Sequence, residues 1–133
     1  IIVCMAIFVV VAFQFGWIKA GSGPVKVQGV RDTQGPQIYM VQVRDGSTPR
    51  SAIISWATDE DSSSQVRYGP WPYANTLTPI QNDPTTGVNS GVKIHEVGLT
   101  NLIPATTYIY YVISMDKEGN RTESPEMQFQ TTQ

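Results

Sequence analysis

The chain has 133 residues, with nine Lys and Arg against eleven Asp and Glu and a formal charge of −2. That balance offers no basic footprint for nucleic acid, and the length allows one domain of ordinary size whose core needs no disulfide. One cysteine and one histidine leave no intrachain bridge, no His-rich metal centre and no ready Ser-His-Asp triad.

Residues 1–18, IIVCMAIFVVVAFQFGWI, hold no Asp, Glu, Lys or Arg, and Gln14 is their one strongly polar side chain. The pattern predicts a helix over residues 1–20, apolar on every face. Its first eighteen residues would span roughly 27 Å, close to the ~30 Å hydrocarbon core of a bilayer. Its packing surface would comprise Ile1, Ile2, Val3, Met5, Ala6, Ile7, Phe8, Val9, Val10, Val11, Phe13, Phe15 and Trp17, with Cys4 a small hydrophobe among them. Such a helix must be surrounded by lipid or by other hydrophobic helices. A signal-peptide reading lacks a basic n-region and a small-x-small site, because Ile18 stands where a small residue is wanted. A single-pass anchor and a packing helix in a filament are left. The run IIVCMAIFVVVA, centred on Ala6-Ile7-Phe8, resembles the N-terminal helix of type IV pilins and pseudopilins, just downstream of the glutamate of their leader motif. That resemblance implies a subunit held in the cytoplasmic membrane and then polymerised with identical copies, the helices forming the filament core. The sequence departs from the family at Ala20-Gly21-Ser22-Gly23-Pro24, which should end the helix, and the family's acidic residue would lie before Ile1.

Residues 21–36 read as a linker, in which Val25 and Val27 alternate with Lys26 and Gln28. The alternation allows a short extended piece, either a solvated tether or a strand added to a neighbour's sheet edge. Residues 37–133 then break into short strand-like runs separated by turn signals, the spacing of a β-sandwich. Seven strands are predicted, over residues 38–43, 51–58, 65–69, 76–80, 92–100, 107–115 and 127–131. Ala52, Ile54 and Trp56 fall on one face of the second, Val66 and Tyr68 point inward on the third, and Tyr108, Tyr110 and Val112 line the core face of the sixth. The chain is therefore expected to be mainly β, a hydrophobic α-helix followed by a seven-stranded sandwich.

Leu102, Pro104 and Tyr108, spaced as in Leu102-Ile103-Pro104-Ala105-Thr106-Thr107-Tyr108, predict a tyrosine corner, the phenol bonding back to the backbone at the end of the sandwich. Together with Trp56 they define the fold. Here the sequence resembles a fibronectin type III domain of the bacterial and purple-acid-phosphatase-associated kind. SAIISWATDEDSSSQVRYG, HEVGLTNLIPATTYIYYV and SMDKEGN carry the likeness from about Gln37 to Thr132. It implies a scaffold and no cofactor, because the metal-binding Asp, His and Asn clusters of the phosphatases belong to a separate catalytic domain.

Candidate sites are few. His95 is expected at a strand edge with a structural hydrogen bond, and Ser62-Ser63-Ser64 as a loop without a base nearby. In this fold the loop after the second strand and that of the last hairpin share one end. Asp59, Glu60 and Asp61 should then lie near Asp116, Glu118 and Asn120. Asp59, Asp61 and Glu118 are the calcium candidates of that set, against a solvated acidic rim around a type I′-like Gly119-Asn120 turn. Trp71 and Tyr73 form either a stacking platform for sugar, a subunit contact or a cover for the sandwich edge. Asn120-Arg121-Thr122 is a formal glycosylation sequon. Taken together, the sequence reads as a non-enzymatic structural subunit of an extracellular, cell-surface, pilus-like filament, with the sandwich outside and any surface glycan or host ligand unspecified. The rival is a membrane-anchored monomeric adhesion or carbohydrate-binding module; a detached accessory domain of a phosphatase-like enzyme comes third.

Overall fold

The structure, a computed structural model, describes residues 29–133. The helix expected over residues 1–20, its packing residues and the first half of the linker lie outside the described residues.

Eight strands follow in chain order: β1 (Ile38–Asp45), β2 (Ala52–Ser62), β3 (Gln65–Pro70), β4 (Thr76–Leu77), β5 (Val92–Leu99), β6 (Thr107–Met115), β7 (Arg121–Glu123) and β8 (Met127–Gln130). They form two antiparallel sheets, one ordered β1-β2-β5 and the other β4-β3-β6 with β7 and β8 along the far side of β6. A single 3-10 turn, Pro84–Thr86, interrupts the long β4–β5 connection.

The alternation written into each strand builds the core. Ala52, Ile54 and Trp56 of β2, with Val97 and Leu99 of β5, face Val66 of β3 and Tyr108, Tyr110 and Val112 of β6, all of them buried. Burial of this kind stabilises by about 1.5–3 kcal/mol per large side chain and is the main force holding the two sheets together. The tyrosine corner forms as the spacing predicts. The Tyr108 hydroxyl accepts a 2.9 Å hydrogen bond from Ile103 N, and Leu102 is 1% exposed beneath it.

Four features depart from the expectation. A further strand, β7, precedes the expected last one, separated from it by Pro125, which has no N–H for the ladder, and the pairing with β6 slips by one residue between β7 and β8. The strand expected over 76–80 shrinks to Thr76–Leu77, with Thr78 N still bonded to Val66 O at 2.9 Å. β2 runs on to Ser62, so Asp59, Glu60 and Asp61 sit on a strand end and not in a loop. The last hairpin closes through Asp116 and Asn120 around Lys117-Glu118-Gly119, with Gly119 at φ 88°. That is a three-residue loop with its left-handed residue at glycine, not a I′ turn.

β1 also bends. Its register with β2 shifts between Tyr39 and Gln42, and Met40 in the bulge has φ 55° with 70% of its surface exposed. A methionine in that backbone region costs about 1–2 kcal/mol, which the flanking ladder must offset. The end of the expected linker is tied down as well, since Pro36 is fully buried and Gln37 N donates to Asp59 Oδ1 at 2.7 Å.

Tyr108→Phe should cost about 1–3 kcal/mol, because Ile103 N–H loses its acceptor at a part-buried site. Trp56→Ala should cost more, about 3–5 kcal/mol, by opening a cavity. Equilibrium denaturation of the full chain in detergent reads both. A Tyr108→Phe midpoint equal to the parent's would mean the corner bond contributes nothing.

Candidate functional site

The end of the sandwich where β2 finishes and β5 begins holds the charged groups, and here the ladder geometry decides which of them meet. Carboxylate oxygens of Asp32, Glu60 and Asp116 lie within 4.8 Å of one another. Asp32 comes from the segment ahead of β1, Glu60 from the end of β2 and Asp116 from the last hairpin. Asp116 is fully buried, and both its oxygens are engaged, Oδ1 by Asn120 N at 2.8 Å and Oδ2 by Asn120 Nδ2 at 2.7 Å. The same Nδ2 donates to the Asp32 carbonyl at 3.1 Å. Asn120 is thus a clamp inside the cluster, and its sequon amide is already committed to two acceptors.

The calcium candidates named from the sequence are distributed differently. Asp59 turns to Gln37 N, Asp61 lines an open groove with Lys93 and Lys117, and Glu118 lies 3.7 Å from Lys117 Nζ. Asp32, which belongs to the expected linker, was not among them and joins Glu60 and Asp116 through long-range packing. Oxygen donors at this spacing suit a hard cation in principle. Asp116 already accepts two hydrogen bonds from Asn120. Glu60 feels the crowding. Its carboxyl is pushed above the usual range, first by burial and then by the charges of Asp116, Asp32, Asp59 and Glu118.

Behind this rim lies a polar core that the sequence did not disclose. His95 is mid-strand in β5, the edge strand of its sheet, yet fully buried, and it stacks on Trp56 with centroids 4.8 Å apart and planes 6° from parallel. Its Nε2 lies 2.8 Å from Thr58 Oγ1 and its Nδ1 2.7 Å from Ser64 Oγ. The three serines expected as a loop are all buried; Ser63 bonds to β6 through Met115, and Trp56 Nε1 donates to Ser114 Oγ at 2.9 Å. Burial alone lowers the imidazole to about 4, so the ring is neutral at pH 7.

A family model described as the N-terminal domain of purple acid phosphatase matches residues 36–131. The chain belongs to that family. Solved structures place the purple acid phosphatase N-terminal domain fold among fibronectin type III sandwiches. A myokine is 22% identical with a TM-score of 0.57, covering 77% of this chain and 100% of its own. The purple acid phosphatase PPD1 from yellow lupin (Lupinus luteus) seeds is 21% identical with a TM-score of 0.57, over 72% of this chain and 19% of that one. The fourth FNIII domain of a human protein is 18% identical with a TM-score of 0.55, over 86% and 92% of the two chains. No curated protein matches the chain. At these identities the likeness establishes the fold alone, and family membership brings a scaffold without bringing a reaction.

The opposite end of the sandwich carries an aromatic loop. Trp71 and Tyr73 are 63% and 68% exposed on a tight loop. Trp71 N bonds Thr107 O at 2.9 Å and Tyr73 N bonds Pro70 O at 3.0 Å. Gly69 makes the loop possible, because a Cβ there would lie 2.1 Å from the Tyr73 carbonyl oxygen. These two rings do not cover the sandwich edge; they face solvent. On the outer face of β3, β6 and β7, Arg67 lies 4.0 Å over the Tyr111 ring and pairs with Glu123, which also takes Arg121 at 2.6 Å.

The Glu60 crowding sets a pH dependence. A carboxyl raised on folding contributes stability below its unfolded pKa and loses it as pH rises through the folded one. Glu60→Gln should therefore raise the melting temperature at pH 7, and the advantage should vanish as the pH falls below the carboxyl range. A variant that melts with the parent at pH 7 would show that the carboxylates are screened from one another.

Proposed function

We propose that this chain is a non-catalytic display module, a fibronectin type III-type sandwich presented beyond a membrane by the apolar residues 1–18. The observation that carries the non-catalytic part is the sealing of Ser64 and His95. They are the pair nearest to a nucleophile and base among the described residues, and both are 0% exposed. A substrate cannot reach them, and among the described residues both ring nitrogens meet hydroxyls, with no carboxylate behind the ring to stabilise an imidazolium. Membership of a family whose lupin relative devotes 19% of its length to this sandwich fits a module that accompanies other parts.

The finer form of the proposal is a structural subunit of a pilus-like filament outside the cell. Residues 1–18 of identical subunits pack into a core and the sandwich forms the surface. Its support is the unbroken apolar run with Ala6-Ile7-Phe8 at its centre. Among the described residues no helix is long and apolar enough to cross a membrane, so the whole weight falls on that run. A second form, a single membrane-tethered binding module, is favoured by the exposure of Trp71 and Tyr73, since solvent-facing aromatics on a braced loop suit a partner's flat apolar face.

The two forms differ in what surrounds residues 1–18. Shearing cells that express the full chain should release it in fibres, and Val9→Asp should abolish them while the sandwich stays folded, because an unpaired ion in a hydrophobic bundle costs several kcal/mol. Fibres of normal abundance from Val9→Asp would overturn the filament form. Protein that leaves the membrane only in detergent would establish the tether instead.

A further inference from the structure

We infer that His95 is an acid-sensitive latch, one that holds the Ser62–Ser64 connection and the Gln81–Asn82 segment on the sandwich while its ring is neutral and lets them go when the ring is charged.

The hydrogen bonds around the ring admit one tautomer. Thr58 Oγ1 spends its proton on the Glu60 carbonyl at 2.8 Å, so it can only accept from His95, and Nε2 must carry the hydrogen. Ser62 Oγ, 3.2 Å from Thr58 Oγ1, fills the second lone pair there. Nδ1 is then bare and accepts from Ser64 Oγ–H at 2.7 Å. Ser64 Oγ in turn accepts from Asn82 Nδ2 at 3.5 Å. Every proton has one place to go. A proton added at Nδ1 breaks this order, because Ser64 must turn its hydroxyl away from the ring, on the side where Asn82 presents its Nδ2.

Among the described residues, no titratable side chain meets the ring to welcome the charge. β2 presents Trp56, Thr58 and Ser62, the connection presents Ser64, and the β4–β5 connection presents Asn82. Glu60 enters through its backbone carbonyl, and Asp32 and Asp116 lie beyond it around the Glu60 carboxylate. Ser64 also carries the loop by its backbone, with Ser64 N to Gln81 O at 2.8 Å and Gln81 N to Ser64 O at 2.9 Å. Displacing Ser64 therefore strains both bonds to Gln81.

The sign follows from burial. The folded ring titrates at about 4 against an ordinary value of 6.5, so its contribution is complete above 6.5 and is lost as the pH falls from 6.5 through the folded value. Glu60 acts in the opposite direction over the carboxyl range, because its protonation relieves the cluster and stabilises the same end. Variants must separate the two.

The chain has one histidine, so ring-nitrogen NMR of the full-length protein in detergent micelles reads it without assignment. The expected result is an Nε2-protonated ring that titrates near 4, with amide protection at Ser64 and Gln81 falling by about tenfold per pH unit as the pH drops from 6.5 to about 4. Glu60→Gln should keep this response, and His95→Gln should remove it. Should His95→Gln fail to fold, Ser64→Ala takes its place, deleting the donor to Nδ1 and moving the titration upward. A ring that titrates near 6.5, the opposite tautomer, protection indifferent to the ring's charge, or an unmoved titration in Ser64→Ala would each overturn the latch.

Discussion

The sandwich depends on where Trp56 can put its indole N–H. A buried ring of that size supplies more apolar surface than any neighbour, but its nitrogen must find an acceptor or forfeit the gain. It finds Ser114 Oγ in the opposite sheet, 2.9 Å away, while the ring lies flat on His95 of the adjacent strand. One side chain thus sets the separation of the sheets and the rotation of the histidine together. Once the histidine is turned, its two nitrogens prescribe hydroxyls at Thr58 and Ser64, and the end of the domain assembles around them.

The two ends of the domain solve the same problem with different materials. At one, the tyrosine corner closes the β5–β6 connection with a single phenol, and Thr131 Oγ1 adds a 2.7 Å bond to the Ile103 carbonyl. At the other, a chain of hydroxyls closes the β2–β3 connection, and a ring of carboxylates is held in place by Asn120. The first is aromatic at its rim. The second is the end where protons matter. A scaffold built this way leaves its chemistry in the loops, and for this chain the loops differ end from end.

The parts of this fold legible in the sequence were those governed by local spacing. Ala52, Ile54 and Trp56 alternate because a strand alternates, and Leu102, Pro104 and Tyr108 carry the corner in seven consecutive residues. The last hairpin could be placed but not typed, since its left-handed residue is settled by which pair closes the loop. What was hidden arises from contacts between distant residues. Asp32 reads as linker and becomes part of the cluster only when its segment docks beside Asn120. His95 looks like any polar residue in a strand until the register sets it opposite Trp56. Three consecutive serines read as solvent-loving, whereas here they satisfy backbone and imidazole groups that would otherwise be buried without partners. The long-range pairing that placed them has no local signature.

The bulge at Met40 has a consequence for crowding. It lies across a groove from Ser124 and Pro125, where the last strand slips its register, so both sheet edges on that side of the sandwich are broken. Straight, unbroken edges invite a second chain to pair with them and begin aggregation. Of the other two edges, β4 is two residues long and β5 carries the charges of Lys93 and Glu96. Many copies can therefore stand side by side without their sheets fusing into one.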